Sequence, residues 1–414
     1  LDYLNFYFSQ DIVRQVRNTD GGQEFLDHYP ALPVLVAPAY LMGGRFGVLL
    51  LQTLFGGLLA ALIFYLSHLI SGDTLSSLLA TALVAFSLPL LAYPYLVYPE
   101  WLAAVLVTLV IYFLVTRSHP TGGVMAGLMV ALALLPWLNR RFIPLAVILA
   151  LIAFWIWRRE GKLSAAAVLP LLVVGLSVAG VFWLNSQLTA PARTDITVPA
   201  SSADLWQRLA RGIGWLVDQQ RGLFIFAPIY IAGLWGLPAF IRYNGPIRGR
   251  HWIVLVPFVF TLLLVTVAGG FWVAWELGPR FLVVGLPGLA PLLALAWRDL
   301  GRTVPGAVLL ALLAVLSLMN SWIVMRNPEL PYKSSLPIYF GELFSVPLTD
   351  ILPDMAGYER LTPDPDTPGP AAVVELADQF FWAAPAGRSQ QLLDSAPLGE
   401  LPFGHYLLDW QLVV

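Results

Sequence analysis

Unbroken apolar runs long enough to cross a bilayer constrain this chain more than any other feature. A spanning helix needs about 20 mostly apolar residues, because lipid offers the backbone no hydrogen-bond partners. Ten stretches qualify: 46–70, 74–92, 99–116, 121–136, 142–157, 164–186, 223–241, 251–268, 281–297 and 304–324. A membrane β-barrel would show alternating segments of about ten residues instead. The pattern therefore predicts an all-α polytopic membrane protein with about ten transmembrane helices. Composition agrees: 12% of residues are charged, against about 25% in soluble domains, and the mean hydropathy of +0.75 excludes a soluble globule.

With so few charges, their placement carries the information. The net charge is −2, so there is no global basic field of the kind nucleic-acid binders use, and no nucleic-acid partner is expected. An even number of spans puts both ends on one side, and the positive-inside rule selects which. With the ends outside, the inner loops hold Arg117, Arg158, Arg159, Lys162, Arg242, Arg248, Arg250, Arg298 and Arg302 in few positions. The outer loops spread Arg140, Arg141, Arg193, Arg208, Arg211, Arg221 and Arg280 over about twice the length. The density favours ends outside. The absence of Cys excludes disulfides, thiolate metal sites and cysteine nucleophiles.

Three regions follow. Residues 1–45 form an outer loop with an interfacial helix, the Pro-punctuated stretch from Tyr29 to Met42 being too short to span. Residues 46–324 form the transmembrane domain. It includes a long outer loop, 187–222, in which Leu205, Leu209, Ile213 and Leu216 share one face of an amphipathic helix. Residues 325–414 begin with a Pro-rich, loop-like stretch (Asn327 to Pro370). They end in the strand-like alternation Tyr406, Leu408, Trp410, Leu412, which predicts a C-terminal extracytoplasmic β-rich domain of partial β-sandwich type. The chain opens on Leu1 without a signal-peptide pattern and stops within that alternation, so it is expected to be a fragment cut at both ends.

Charges at membrane depth on the outer side are costly and run against the positive-inside bias. They are Glu100 in Tyr98-Pro99-Glu100-Trp101, Arg140 and Arg141 after Trp137-Leu138-Asn139, and Glu276 with Arg280 in Trp275-Glu276-Leu277-Gly278-Pro279-Arg280. The three arginines suit an anion such as phosphate, since a guanidinium offers a rigid fork of donors. The plainer alternative has Arg140 and Arg141 snorkelling to lipid headgroups and Glu276 pairing with Arg280 four residues later. His28, Trp137, Asn139, Gln219 and Gln220 complete the candidate substrate-cavity residues with Glu100 and Glu276. His28 reads equally as a structural histidine, and Asp218-Gln219-Gln220-Arg221 as an ordinary helix terminus. No zinc-protease, nucleophile-elbow, phosphate-loop or dinucleotide motif is present, and no metal site is readable.

The order of motifs resembles the GT-C superfamily of polytopic glycosyltransferases, in particular bacterial relatives of glycosyltransferase family 39 and dolichyl-phosphate-mannose-type mannosyltransferases. The stretches that carry it are Leu1-Asp2-Tyr3-Leu4-Asn5-Phe6-Tyr7, His28-Tyr29-Pro30-Ala31-Leu32-Pro33, Ala37-Pro38-Ala39-Tyr40 and Tyr98-Pro99-Glu100. Further along come Leu135-Pro136-Trp137-Leu138-Asn139-Arg140-Arg141, Asp218-Gln219-Gln220-Arg221-Gly222-Leu223 and Gly278-Pro279-Arg280-Phe281-Leu282. The resemblance implies an inverting enzyme of the bacterial cytoplasmic membrane whose active site faces outward. Its donor would be a polyprenyl-phosphate sugar and its acceptor a glycan, lipid or protein. Arg280 with Arg140 or Arg141 would hold the departing lipid phosphate, and a divalent metal is an open cofactor. The family's general-base Asp belongs to a Gly-Asp-Glu-like run upstream of Leu-Asp-x-x-Asn-x-Tyr, so it is expected before Leu1. Asp2 is not assigned that role, and the fragment is expected to be inactive. Two other classes compete: a transporter or flippase of a lipid-linked saccharide, and a non-catalytic membrane protein that binds glycan.

Overall fold

The computed structural model describes residues 16–18, 24–26, 31–116, 122–159, 165–188, 205–219, 222–268, 279–326, 336–346 and 348–352. Apart from a short antiparallel hairpin, β1 (Val16–Asn18) with β2 (Glu24–Leu26), these residues build helices. The first, α1 (Ala31–Ser71), would be about 60 Å long if straight, twice the hydrocarbon core. It is interrupted at Gly43 and Gly44, and Gly44 holds φ 55°, which a side chain would resist. The turn is sharp enough that a Cβ on Gly47 would lie 2.1 Å from the Ala39 carbonyl oxygen.

There follow α2 (Thr74–Phe86), the single turn α3 (Tyr93–Leu96), α4 (Pro99–Thr116), α5 (Gly122–Leu138), α6 (Ile143–Arg159), α7 (Ala165–Leu188) and α8 (Leu205–Val217). The chain continues through α9 (Leu223–Phe226), α10 (Gly233–Ile241), α11 (Val256–Ala268), α12 (Ala290–Leu300) and α13 (Val304–Arg326). Five of the described helical segments are long and apolar enough to cross a membrane: Ala31–Ser71, Pro99–Thr116, Arg140–Arg159, Ala167–Leu184 and Val304–Arg326. Thr74–Phe86, Gly122–Leu138, Pro228–Ile241 and His251–Val267 are shorter apolar helices. The chain is thus a mainly helical integral membrane protein.

Several of the ten apolar runs are broken rather than continuous. Run 74–92 ends its helix at Phe86. Run 223–241 is interrupted by a 3-10 segment at Pro228–Ala232. Runs 251–268 and 281–297 open on 3-10 turns at His251–Leu255, Arg280–Leu282 and Leu286–Leu289. Broken backbone inside an apolar bundle needs partners, and α13 supplies them from one polar stripe. Ser321 Oγ accepts from the Leu88 N–H (3.0 Å), and Ser317 Oγ accepts from the Ile229 N–H (2.8 Å). Asn320 Nδ2 donates to the Ile225 and Phe226 carbonyls (2.8 and 3.2 Å).

Helix α12 packs against α10, α2 and α1, while α7 packs against α5 and α6, and α4 lies between α1 and α5. The α10–α12 contact is backbone to backbone: a Cβ on Gly236 would sit 2.0 Å from the Leu292 carbonyl oxygen. Gly236→Ala is therefore expected to destabilise the protein by about 3 kcal/mol, because two helices must separate; a thermal melt in detergent reads this directly. At the start of α2, Asp73 caps the helix by accepting from the Ser76 N–H at 2.8 Å. The Ser76 hydroxyl and then that backbone N–H hold the carboxyl below its ordinary range, helped by Arg302 and Arg298. The cap's contribution is present above the ordinary carboxylate pKa and is lost as pH falls through the lowered one. Asp73→Ala should cost about 1 kcal/mol at neutral pH and less in strong acid, where the charge-dependent part of the cap is already lost.

The predicted β-rich C-terminal domain gains no support. The described part of 325–414 is helical, α14 (Leu336–Phe344) and α15 (Leu348–Ile351), where a Pro-rich loop was expected. Pro337 stands in the first turn of α14, where a helix tolerates proline. The alternation at 406–412 lies outside the described residues.

Candidate functional site

Three loops that the sequence separates widely meet at one end of the bundle. Glu100 stands in the first turn of α4, where the helix dipole favours an acid. Arg141 stands in the 3-10 turn Arg140–Phe142, which Asn139 caps by accepting the Arg141 N–H at 3.1 Å. Arg280 opens the 3-10 turn that precedes α12. Arg280 Nε donates to Glu100 Oε1 at 2.7 Å, and Arg141 Nη2 pairs with that same oxygen. The carboxylate and Arg280 are buried, with side-chain exposures of 1% and 4%; Arg141 shows 19%.

Aromatic faces flank both cations. The Arg280 guanidinium lies 4.1 Å from the Tyr98 ring centroid, and Tyr98 tilts against Tyr93 at 5.8 Å. Arg141 lies 4.6 Å from the Phe281 ring and 5.2 Å from Phe142, while Phe281 packs on Trp215 of α8 at 5.5 Å. Such faces attract a cation while excluding water. The loop bearing Tyr98 is strained: Val97, a buried β-branched residue, holds φ 52°. The ring of Trp101, next to Glu100, would stand 3.3 Å from a Cβ on Gly56. Gly56 is 12 residues past the α1 break, about 18 Å along the helix, so Glu100 is recessed within the apolar length of the bundle.

The three charges sum to +1. One carboxylate oxygen serves two guanidiniums while its other oxygen, Oε2, is buried with no hydrogen bond, and so is Arg141 Nε. A phosphate brings two or more oxygens to such a fork. At the end of α8, Asp218 and Gln219 are also buried, at 0% and 6% exposure, and Gln219 Oε1 has no hydrogen bond.

The remaining candidates fall elsewhere. Arg140 is exposed and its neighbour Arg141 takes the interior position. Trp137 packs toward α7, its ring 3.0 Å from a Cβ placed on Gly180. His28, Gln220 and Glu276 lie outside the described residues. Among the described residues, the carboxylate that engages Arg280 is Glu100, 180 positions away. Sequence reasoning missed the aromatic partners Tyr93, Tyr98 and Phe281; their signal was adjacency, each of the last two lying within two residues of a motif charge. No three His, Cys, Asp or Glu side chains among the described residues cluster closely enough to hold a metal.

The opposite end of the bundle is built differently. Arg298 Nη1 donates to the Ser71 carbonyl at 2.9 Å, and Tyr243 Oη donates to the Leu69 carbonyl at 3.3 Å. Loops 71–73, 242–250 and 298–303 thus gather at one end and the Glu100, Arg141 and Arg280 loops at the other, as the alternation of spans requires. Comparison with protein-family models, with curated proteins and with solved structures finds no match to this chain.

Proposed function

We propose that this protein is a membrane glycosyltransferase that uses a polyprenyl-phosphate sugar donor, with Arg141 and Arg280 as the groups that bind the lipid phosphate. The observation that carries the proposal is the convergence of these two arginines, 139 positions apart, on one recessed carboxylate. Buried ion pairs add little net stability over apolar packing, so a net-positive cluster set among aromatic rings needs another reason, and an anionic ligand provides one. The GT-C resemblance supports a polyprenyl phosphate as that anion, and the distribution of basic residues among the loops supports an extracytoplasmic position for this end of the bundle.

In the reaction so proposed, an acceptor hydroxyl oxygen bonds to the anomeric carbon as the bond from that carbon to the phosphate oxygen breaks. The acceptor proton passes to a carboxylate base, and the lipid phosphate leaves with the electron pair. Charge grows on the departing phosphate, and guanidiniums already oriented by Glu100 stabilise it without rearranging. Glu100 acts as a positioning residue: its Oε1 fixes the distance between the two forks.

The test is a transfer assay on the intact protein in proteoliposomes, with labelled polyprenyl-phosphate sugar inside or outside the vesicle. Release of polyprenyl phosphate coupled to glycosylated acceptor supports the proposal. Movement of the lipid-linked sugar between leaflets with no change in its covalent structure would favour a transporter.

A further inference from the structure

We infer that α14 and α15 are an interfacial anchor, lying in the lipid headgroup and upper acyl region of the leaflet at the Glu100 end of the bundle. The inference is independent of which reaction the arginines serve. One side of α14 is fixed to the bundle: Leu336, 3% exposed, is buried with Leu88, Ala92, Phe226 and Val324, and Phe340 packs against the same cluster. Val324 belongs to the end of α13, Phe226 to the end of α9, and Leu88 and Ala92 to the turns beside Tyr93, so α14 is held at the level where α13 leaves the membrane.

Near its end it exposes two large apolar side chains. Leu343 and Phe344 are 59% and 61% exposed. Ser345, at φ 55°, ends the helix in a left-handed turn, and the Val346 N–H bonds back to the Gly341 carbonyl at 3.0 Å. Beyond this Schellman arrangement, the apolar Val346 (39% exposed) and Ile351 (68%) are exposed as well.

The partner is identified by what the patch adjoins. At its end α13 exposes Trp322 (63%) and Met325 (37%), and Arg326 lies 5.0 Å over the Trp322 ring. On a helix long and apolar enough to cross the bilayer, these side chains face lipid. A tryptophan with an arginine at a helix end marks the headgroup level. The exposed side of α14 and α15 stands beside that belt, and a helix pinned there with apolar side chains outward buries them about 5–10 Å into the interface.

The chain has no Cys, so Phe344→Cys and Ile351→Cys each give one attachment point for an environment-sensitive fluorophore. Both residues are exposed, and elution in gel filtration checks that the variants fold. The full chain is reconstituted into phosphatidylcholine vesicles that carry nitroxide lipids labelled near the headgroup or near the chain terminus. At both positions, emission should be quenched at least about twofold more by the shallow nitroxide than by the deep one, with little quenching by aqueous iodide. Leu54→Cys on α1, 63% exposed along a spanning helix, should show the reverse order of depth. Iodide quenching at either α14–α15 position would overturn the inference by placing the segment in water. Shielding from all quenchers would overturn it by showing a second copy or another protein on this surface.

Discussion

Arg280→Ala in the intact protein is expected to lower glycosyl transfer from a polyprenyl-phosphate donor by about 10²–10³-fold, the usual loss when one preorganised donor to a developing negative charge is removed. The loss should fall mainly on kcat, because charge on the phosphate oxygen grows as the bond to the anomeric carbon breaks. Arg280→Lys should recover only part of it. The ammonium keeps the charge but not the planar fork, nor the stacking on Tyr98 at 4.1 Å. Arg140→Ala, at an exposed position one residue from the site, should have a far smaller effect, which separates a positioned guanidinium from general basic charge at the membrane edge. Transfer by Arg280→Ala at the unaltered rate would remove the arginine from the reaction and with it the proposed function.

Much of the fold is legible in the sequence because the signal is one of length. Lipid leaves the backbone few options, so a run such as 304–324 can only become a spanning helix, and it does so as α13. The breaks are less legible. Pro228, Pro257 and Pro287 stand in plain view, yet each lies inside an apolar run that reads as continuous. At Pro228 the broken backbone is met by Ser317 and Asn320 on another helix, and no local pattern announces such a partner. The described part of Asn327 to Pro370 shows the opposite case. Proline reads as a loop signal in sequence, but Pro337 occupies a helix's first turn.

The site was legible as a set of costly charges and illegible as a geometry. Arg140 and Arg141 are chemically identical in sequence; the Asn139 cap and the tight 3-10 turn decide which points inward. Glu100 is recognisable as an expensive residue, but its engagement with Arg280 spans 180 positions, a separation that no helical spacing announces.

Glu100→Ala is expected to destabilise the protein by about 3–5 kcal/mol, since it leaves two partly or wholly buried guanidiniums facing one another without their carboxylate. Glu100→Gln, which keeps the shape and an acceptor oxygen, should cost less. Because Arg141 and Arg280 share Glu100 Oε1, the effects cannot add. The double variant Glu100→Ala with Arg141→Ala should recover stability relative to the sum of the singles, with a coupling of about 1–3 kcal/mol in a double-mutant cycle. The same series separates a ligand site from a structural clamp. If a phosphate binds the two forks, added polyprenyl phosphate supplies the negative charge that Glu100→Ala removes. The melting temperature of that variant should then rise more than the wild type's at equal lipid concentration. A purely structural triad predicts no lipid-dependent rise in either protein. A rise in the wild type that Arg141→Ala abolishes would place the phosphate on the exposed-facing fork, the one with 19% of its side chain accessible, and so give the direction from which the donor enters.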